Sequence, residues 1–96
     1  MKQFLIGETV TIEDEFTVEG ALTTPDTSYK IEIDDPVGTN VVNLQDMTAI
    51  STGLLRYNYT PAAGAVCGIY TADTIYVHGG ITTKERHRFE LVKEID

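Results

Sequence analysis

The chain has 96 residues, of which 42% are hydrophobic and 23% are charged, and its formal net charge is −8. This length and composition are those of one small folded domain over residues 1–96, and they leave little volume for a deep active-site pocket. The negative charge argues against nucleic acid as a partner, because binding to the phosphate backbone depends on clustered lysine and arginine.

The first ten residues contain an apolar run of only three residues, which is too short for a signal peptide or a membrane span. We therefore expect synthesis in the cytoplasm and no membrane partner. From Val10 to Val18, the even positions hold apolar residues and Asp14, while the odd positions hold threonine and glutamate. This period of two predicts a half-buried strand with one acidic, solvated face.

A hairpin is predicted next, because Tyr29, Ile31 and Ile33 alternate with polar residues before a turn rich in Asp, Pro and Gly. The oxygen-bearing side chains between Asp34 and Asn40 would also suit a surface calcium site. They lack the regular spacing of a dedicated calcium loop, and Asp and Asn are ordinary turn formers. We interpret this segment as a plain turn.

The second half of the chain continues the pattern of short strands. A short helical turn and a crossing loop both fit residues 45–52. Residues 54–59 alternate again and predict a strand, and residues 69–77 are rich in β-branched and aromatic side chains, as is typical of a central strand. Leu55, Tyr57 and Tyr59 are predicted to face the core from the first strand. In a terminal strand that follows a Gly79-Gly80 turn, Ile81, Phe89, Leu91 and Ile95 lie on one side.

No window of the sequence has a sustained helical period, and turn signals recur at intervals of about 8 to 12 residues. The sequence therefore predicts an all-β domain. Its expected architecture is an antiparallel β-sandwich of about seven strands in two sheets.

Cys67 is the only cysteine, so it cannot form an internal disulfide. As a nucleophile it would need a neighbouring base, for which His78 and His87 are the candidates. The sequence around Cys67 lacks the signatures of catalytic cysteines, and a free cysteine is commonly buried, so we interpret it as a packing residue. The two histidines have no further Cys or His at ligand spacing. We therefore expect no catalytic residue, no metal and no cofactor, and we do not expect an enzyme.

The only basic cluster lies near the end of the chain, where Lys84, Arg86 and Arg88 would share one face of a strand. Residues 1–50 contain ten acidic and two basic side chains, whereas residues 51–96 contain five of each. The three basic residues are thus a candidate interaction patch for an acidic partner, such as the region from Glu13 to Glu15 of a second copy. Alternatively, they form a solvated face that protects a sheet edge from aggregation.

The stretch Gly68-Ile69-Tyr70-Thr71-Ala72 resembles the Gly-x-Tyr-x-Cys sequence that opens the penultimate strand of immunoglobulin-like domains. The resemblance implies that the Tyr70 hydroxyl binds the upstream corner, and that Ala72 packs in the core where relatives have a disulfide cysteine. The wider pattern is similar to the small disulfide-free immunoglobulin-like proteins of tailed phages and prophages, and more distantly to macroglobulin-type and bacterial surface domains. The segments that carry it are GETVTIEDEF, YKIEIDDPVGT, TGLLRYNYTP, GIYTAD and RFELV.

The resemblance implies a non-enzymatic structural protein of a virion, in the neck, at the head–tail junction or associated with the capsid. Such a protein would act by assembly with other virion proteins or with copies of itself, and it would reach the virion after cytoplasmic synthesis. The alternative is an immunoglobulin-like adhesion or ligand-binding module of a bacterial or archaeal surface protein. A third hypothesis, a small enzyme or metal-dependent binder, would be indicated by a bound metal or by an activity that depends on Cys67.

Overall fold

The computed structural model of the protein describes residues 1–93, which form ten strands and no helix. The predicted all-β class is confirmed. Because no helix is present in these residues, none is long and apolar enough to cross a membrane. Ile95, assigned above to the same side of the terminal strand as Phe89 and Leu91, lies outside the described residues. The strands are β1 (Lys2–Leu5), β2 (Val10–Glu15), β3 (Thr17–Val18), β4 (Ala21–Leu22), β5 (Ser28–Asp34), β6 (Asn40–Asp46), β7 (Thr48–Ser51), β8 (Leu54–Tyr59), β9 (Gly68–His78) and β10 (Ile81–Val92).

The strands form two main sheets, an arrangement consistent with a β-sandwich. The five-stranded sheet has the order β1-β10-β9-β5-β6, and the three-stranded sheet has the order β2-β8-β7. β1 runs parallel to β10, whereas all other neighbouring strands of the larger sheet are antiparallel, so this sheet is mixed. β3 and β4 pair only with each other, as a two-residue hairpin.

The core lies between the two main sheets and follows from the alternation of apolar residues along the strands. In β9, every second side chain from Tyr70 to Tyr76 is buried, and the prediction that β9 is a central strand is confirmed by its pairing with both β5 and β10. The predicted inward positions Ile31, Ile33 and Leu55 are fully buried. The rest of the buried apolar core consists of Val10, Ile12, Val42, Met47, Tyr70, Ala72, Tyr76, Phe89 and Leu91.

The corner before β9 has the predicted tyrosine contact. The Tyr70 hydroxyl donates a hydrogen bond to the carbonyl oxygen of Val66 at 2.7 Å. The Tyr70 ring also stacks on Phe89, with centroids 5.1 Å apart. The hydroxyl therefore fixes the loop, while the ring of the same residue fills the core.

The chain departs from the sequence-based interpretation in two regions. Residues 45–52 form no helical turn, and the crossing between sheets takes place at the single residue Met47 and not through a loop. β6 continues to Asp46, and β7 begins at Thr48. Between them, Met47 is buried and donates its N–H to the carbonyl oxygen of Tyr29 at 2.9 Å. The chain changes sheets at this residue, which interrupts any local period. In addition, Val18 is exposed, because the β3–β4 hairpin leaves the sandwich before that position.

Candidate functional sites

The three basic residues of β10 lie on the outer face of the five-stranded sheet. The register pairs Lys84 with Ile75, Arg86 with Asp73 and Arg88 with Thr71. These three residues of β9 are the ones that alternate with its buried, inward-facing residues, so they lie on the outer face. All three basic side chains are exposed. The expectation that they share one face is thus met by the register of β10.

Arg86 is already bound within the domain. Its Nε and Nη2 atoms donate to the two carboxylate oxygens of Asp73 at 2.8 and 3.0 Å, in a bidentate pair. The hydrogen bond from Arg86 lowers the pKa of Asp73. In contrast, neither Lys84 nor Arg88 forms an ion pair with another residue in the range 1–93. The cations of this strand that can meet a partner are therefore Lys84 and Arg88.

The acidic counterpart expected from the sequence is also partly occupied. Glu13 Oε2 lies 3.1 Å from Arg56 Nη2 on the neighbouring strand β8. Moreover, Glu32 of β5 lies beside Asp73 of β9 on the outer face of the larger sheet, and β9 separates it from Arg86 of β10. Acidic and basic side chains that lie in different halves of the sequence therefore become neighbours on adjacent strands of the fold.

β10 is also an open sheet edge over most of its length. On the side away from β9, β1 pairs with β10 only from Phe89 to Val92. Residues 81–88 consequently have no strand neighbour on that side within the described part of the chain. An open edge presents unpaired backbone N–H and C=O groups to which another strand can bind, and flanking charges such as Lys84 and Arg88 influence which partner approaches.

A second candidate site is a polar cluster between the sheets, centred on Asp14 of β2. Its side chain is only 10% exposed. Its Oδ2 atom accepts hydrogen bonds from the Tyr76 hydroxyl at 2.6 Å and the Thr74 hydroxyl at 3.0 Å. Burial raises the pKa of Asp14, but hydrogen bonding with Tyr76, Glu85 and Thr74, together with the nearby His87, outweighs burial and holds that pKa below its ordinary value. Burial and the bond to Asp14 raise the pKa of Tyr76 far above its ordinary value.

Two residues of β10 complete this cluster. Nε2 of His87 lies 3.3 Å from Asp14 Oδ2 and 4.0 Å from Glu85 Oε2. The nitrogen is closed off from solvent and has no hydrogen-bond partner among residues 1–93. The neighbouring Asp14 carboxylate raises the pKa of Glu85. The intersheet cluster of Asp14, Glu85 and His87 thus holds two carboxylates and one imidazole within reach of a common point.

The sequence indicates this cluster by placing charged or titratable residues at strand positions that face inward. A search for metal-ligand spacing along the chain does not find them. Asp14 occupies an apolar position in the alternation of β2, and Glu85 and His87 share the inward face of β10 with Phe89. Metal-ligand motifs are recognised by spacing along the chain, whereas Asp14 and His87 are brought together by the packing of two sheets.

Cys67 lies far from the nearest candidate base. It directly precedes β9, and His78 is the last residue of that eleven-residue strand, about 36 Å away at the usual rise per residue. Nδ1 of His78 instead accepts a hydrogen bond from the backbone N–H of Asp26 at 3.1 Å. His87 pairs in register with Ala72, roughly 16 Å along the sheet from Cys67. The structure therefore does not bring Cys67 and either histidine into a catalytic pair.

The segment from Asp34 to Asn40 has the conformation of a turn. Asp35 Oδ1 accepts hydrogen bonds from the backbone N–H groups of Val37 and Thr39 at 3.0 and 2.9 Å. Asp34 Oδ1 accepts one from Asn40 Nδ2 at 2.9 Å. These oxygens stabilise the β5–β6 connection directly, as Asp and Asn side chains commonly do in turns.

Comparison of the chain with protein-family models, with curated proteins and with solved structures found no match.

Proposed function

We propose that this protein is a non-enzymatic assembly protein with an immunoglobulin-like fold, and that it is a structural component of a phage or prophage virion. Its place would be the neck, the head–tail junction or the capsid surface. It would bind other virion proteins or copies of itself. The observation that carries the assembly role is the open edge of β10, where Lys84 and Arg88 are free of internal ion pairs within residues 1–93.

Strand order supports the immunoglobulin-like part of this proposal. In such sandwiches the last two strands and the third share one sheet, and the second, fourth and fifth share the other. Here β10, β9 and β5 are neighbours, and β2, β8 and β7 form the other sheet. With β1 as the first strand, these are seven strands, but β1 lies beside β10 and not beside β2, which departs from the constant-type pattern. β6 and the β3–β4 hairpin are additions. The hydrogen bond from Tyr70 to Val66 corresponds to the tyrosine corner of that fold.

The chemistry of the β10 edge supports protein contacts. A strand of a partner that pairs with residues 81–88 would satisfy backbone groups that β1 leaves unpaired. Lys84 and Arg88 would then face a partner strand with acidic side chains on the matching side, which sets both its orientation and its specificity. Because Arg86 is held by Asp73, it stiffens the face and contributes less to the contact.

Self-assembly can be tested by charge reversal. We expect the wild-type protein to form concentration-dependent oligomers in sedimentation velocity. Lys84→Glu and Arg88→Glu should each weaken this association by about tenfold or more, because they place like charges opposite the acidic partner. Lys93→Glu is the matched control, since it changes the net charge equally at an exposed residue outside the patch. A wild-type protein that stays monomeric at every concentration, or equal effects of all three variants, would contradict self-assembly through this edge.

The virion context has a separate test. The proposal predicts that portal, capsid or tail genes lie beside the gene for this chain. Flanking genes or domains of a cell-surface protein would contradict it and would favour the alternative function.

That alternative, an adhesion or ligand-binding module of a bacterial or archaeal surface protein, is favoured by one observation. An open hollow of about 560 Å³ lies at the corner before β9, between Tyr59, Val66 and Val41. Its size falls within the usual range for ligand sites, and tyrosine beside apolar residues is a common ligand surface. A glycan or peptide array that shows binding by the wild-type protein and loss with Tyr59→Ala would support this function. An array without binding would contradict it.

A further inference from the structure

The intersheet cluster of Asp14, Glu85 and His87 has the composition of a metal site. It offers two carboxylate oxygens and one imidazole nitrogen, all within 4.8 Å of one another. The nitrogen is the unusual member of the set. His87 Nε2 is shielded from solvent and has no hydrogen-bond partner among the described residues, although buried polar atoms in folded proteins are nearly always paired. The same atom lies within ion-pair distance of both carboxylates, so it has a partner when it is protonated. A bound cation would give the unprotonated nitrogen a partner.

The distances suit a small divalent ion. Zinc lies about 2.0–2.2 Å from histidine nitrogen and carboxylate oxygen, so two ligands of a tetrahedral site are roughly 3.3–3.5 Å apart. His87 Nε2 and Asp14 Oδ2 are separated by 3.3 Å. Glu85 Oε2 is 4.0 Å from the same nitrogen, and the Glu85 side chain is half exposed, so a small rotation brings it into range.

The surroundings of Asp14 are those of an oriented ligand. Tyr76 and Thr74 both donate hydrogen bonds to its Oδ2 atom, and such bonds from residues around a metal site hold the ligands in position. Asp14 and Glu85 are like charges in close proximity, which a divalent cation would neutralise. A hollow of about 290 Å³ extends to Glu85 and Tyr76 and another of about 160 Å³ extends to His87, so solvent reaches the rim of the cluster, although the His87 Nε2 atom itself is shielded.

Contrary to the sequence-based expectation of no metal, we propose that Asp14, Glu85 and His87 bind a divalent transition-metal ion of the zinc class, which has a structural role and links the two sheets. The histidine nitrogen favours zinc and its neighbours over calcium and magnesium, which prefer oxygen ligands alone. A fourth ligand would be a water molecule that approaches from the half-exposed side of Glu85. Asp14 belongs to the three-stranded sheet, and Glu85 and His87 belong to the five-stranded sheet. The ion is therefore a non-covalent intersheet link in a domain whose single cysteine cannot supply a disulfide.

The experiment uses the full chain after treatment with a chelator. Calorimetric titration with Zn²⁺ should show saturable binding of one ion per chain, and thermal unfolding should shift to higher temperature as the free Zn²⁺ concentration rises. His87→Gln and Glu85→Gln should abolish both effects or reduce the affinity at least about tenfold. Tyr76→Phe keeps all three ligands and should weaken binding by roughly 10- to 100-fold through loss of the bond that orients Asp14.

Two variants serve as matched controls. His78→Gln changes the only other histidine, which accepts a hydrogen bond from Asp26, and it should bind Zn²⁺ like the wild type. Cys67→Ser should do the same. The proposal is overturned if the wild-type chain shows no saturable binding, if His87→Gln binds as tightly as the wild type, or if Cys67→Ser removes the binding. The variants at Glu85 and His87 alter partly exposed side chains, and their circular dichroism without zinc verifies that they fold.

Discussion

The Tyr76 hydroxyl lies 2.6 Å from Asp14 Oδ2, so a strand inside the five-stranded sheet is hydrogen-bonded to an edge strand of the other sheet. Tyr76 is 1% exposed, and its hydroxyl reaches across the interior to a carboxylate that is almost as well buried. Apolar packing holds the sheets together without fixing their relative position, whereas a short hydrogen bond to a charged acceptor is strongly directional. This contact therefore adds a directional constraint on how the two sheets are aligned.

Tyr76→Phe should destabilise the domain by about 1.5–3 kcal/mol, because the substitution keeps the ring and removes a hydrogen bond to a charged group. The free energy of unfolding can be measured in urea by circular dichroism, after chelation of metal ions. The double variant with Asp14→Asn should lose less than the sum of the two single changes, since both remove the same contact. Additive losses would show that the hydroxyl and the carboxylate act independently.

The alternation of residues in single strands is predictable from the sequence. Ile31, Ile33 and Leu55 are assigned to the core because a strand with one buried face has a period of two. The partners of Asp14 are not predictable in this way. Thr74, Tyr76 and His87 are 60 or more residues away along the chain, and they meet Asp14 through sheet packing that no local pattern records.

Two local patterns fail for identifiable reasons. Val18 continues the alternation of β2, but the chain leaves the sheet after Glu15 and forms the small β3–β4 hairpin. Met47 is buried at the point where the chain crosses between sheets, so the residues around it have no common face and no period. The basic patch is visible in the sequence because its three residues share one strand, while the pairing of Arg86 with Asp73 depends on the register with β9.

Tyr70→Phe tests the corner contact. It removes the hydrogen bond to the Val66 carbonyl and leaves the stacking on Phe89, so we expect a loss of about 0.5–1.5 kcal/mol in the free energy of unfolding. Tyr57→Phe is the control, because the Tyr57 hydroxyl has no hydrogen-bond partner within residues 1–93 and its loss should change stability little. Equal effects of the two substitutions in urea unfolding would contradict a specific role for the corner.

The Asp73–Arg86 pair predicts part of the acid sensitivity of the domain. Arg86 lowers the pKa of Asp73 from its reference value of 3.8, so the folded state releases this proton more readily than the unfolded state. The stabilisation is therefore complete above about pH 4 and is lost as the pH falls through the lower, folded pKa. Asp73→Asn should flatten the decline of unfolding free energy in this acidic window.

A control for that effect is Glu32→Gln, which removes a negative charge beside Asp73 on the same outer face but does not disturb the Arg86 pair. NMR titration of the Asp73 carboxyl carbon gives the direction of the shift directly. A midpoint at or above the reference value, or an unchanged decline of stability in Asp73→Asn, would contradict the predicted linkage.

Gly53 is predicted to tolerate no side chain. It has a φ angle of +73°, and a Cβ atom placed there would lie 2.7 Å from the backbone nitrogen of Thr23 and 2.9 Å from the carbonyl oxygen of Phe16. These backbone atoms are hydrogen-bonded to each other at 2.9 Å, and the Gly53 carbonyl accepts the Phe16 N–H at 2.8 Å. The missing side chain therefore lets the β7–β8 turn sit directly against the start of the β3–β4 hairpin.

Gly80→Ala separates the two ways in which a side chain at such a position lowers stability, which are backbone strain at positive φ and overpacking. Gly80 has a φ angle of +77°, close to that of Gly53, but apart from its two chain neighbours no described residue has an atom within 4 Å of the position that its Cβ atom would take. Gly80→Ala should therefore lose only the conformational contribution, about 1–2 kcal/mol, whereas Gly53→Ala should lose a further 1–3 kcal/mol or so from overpacking. Urea unfolding of both variants measures the difference. If the two substitutions cost the same, the contact between the turn and the hairpin is loose enough to admit a methyl group, and the close approach at Gly53 contributes nothing to stability.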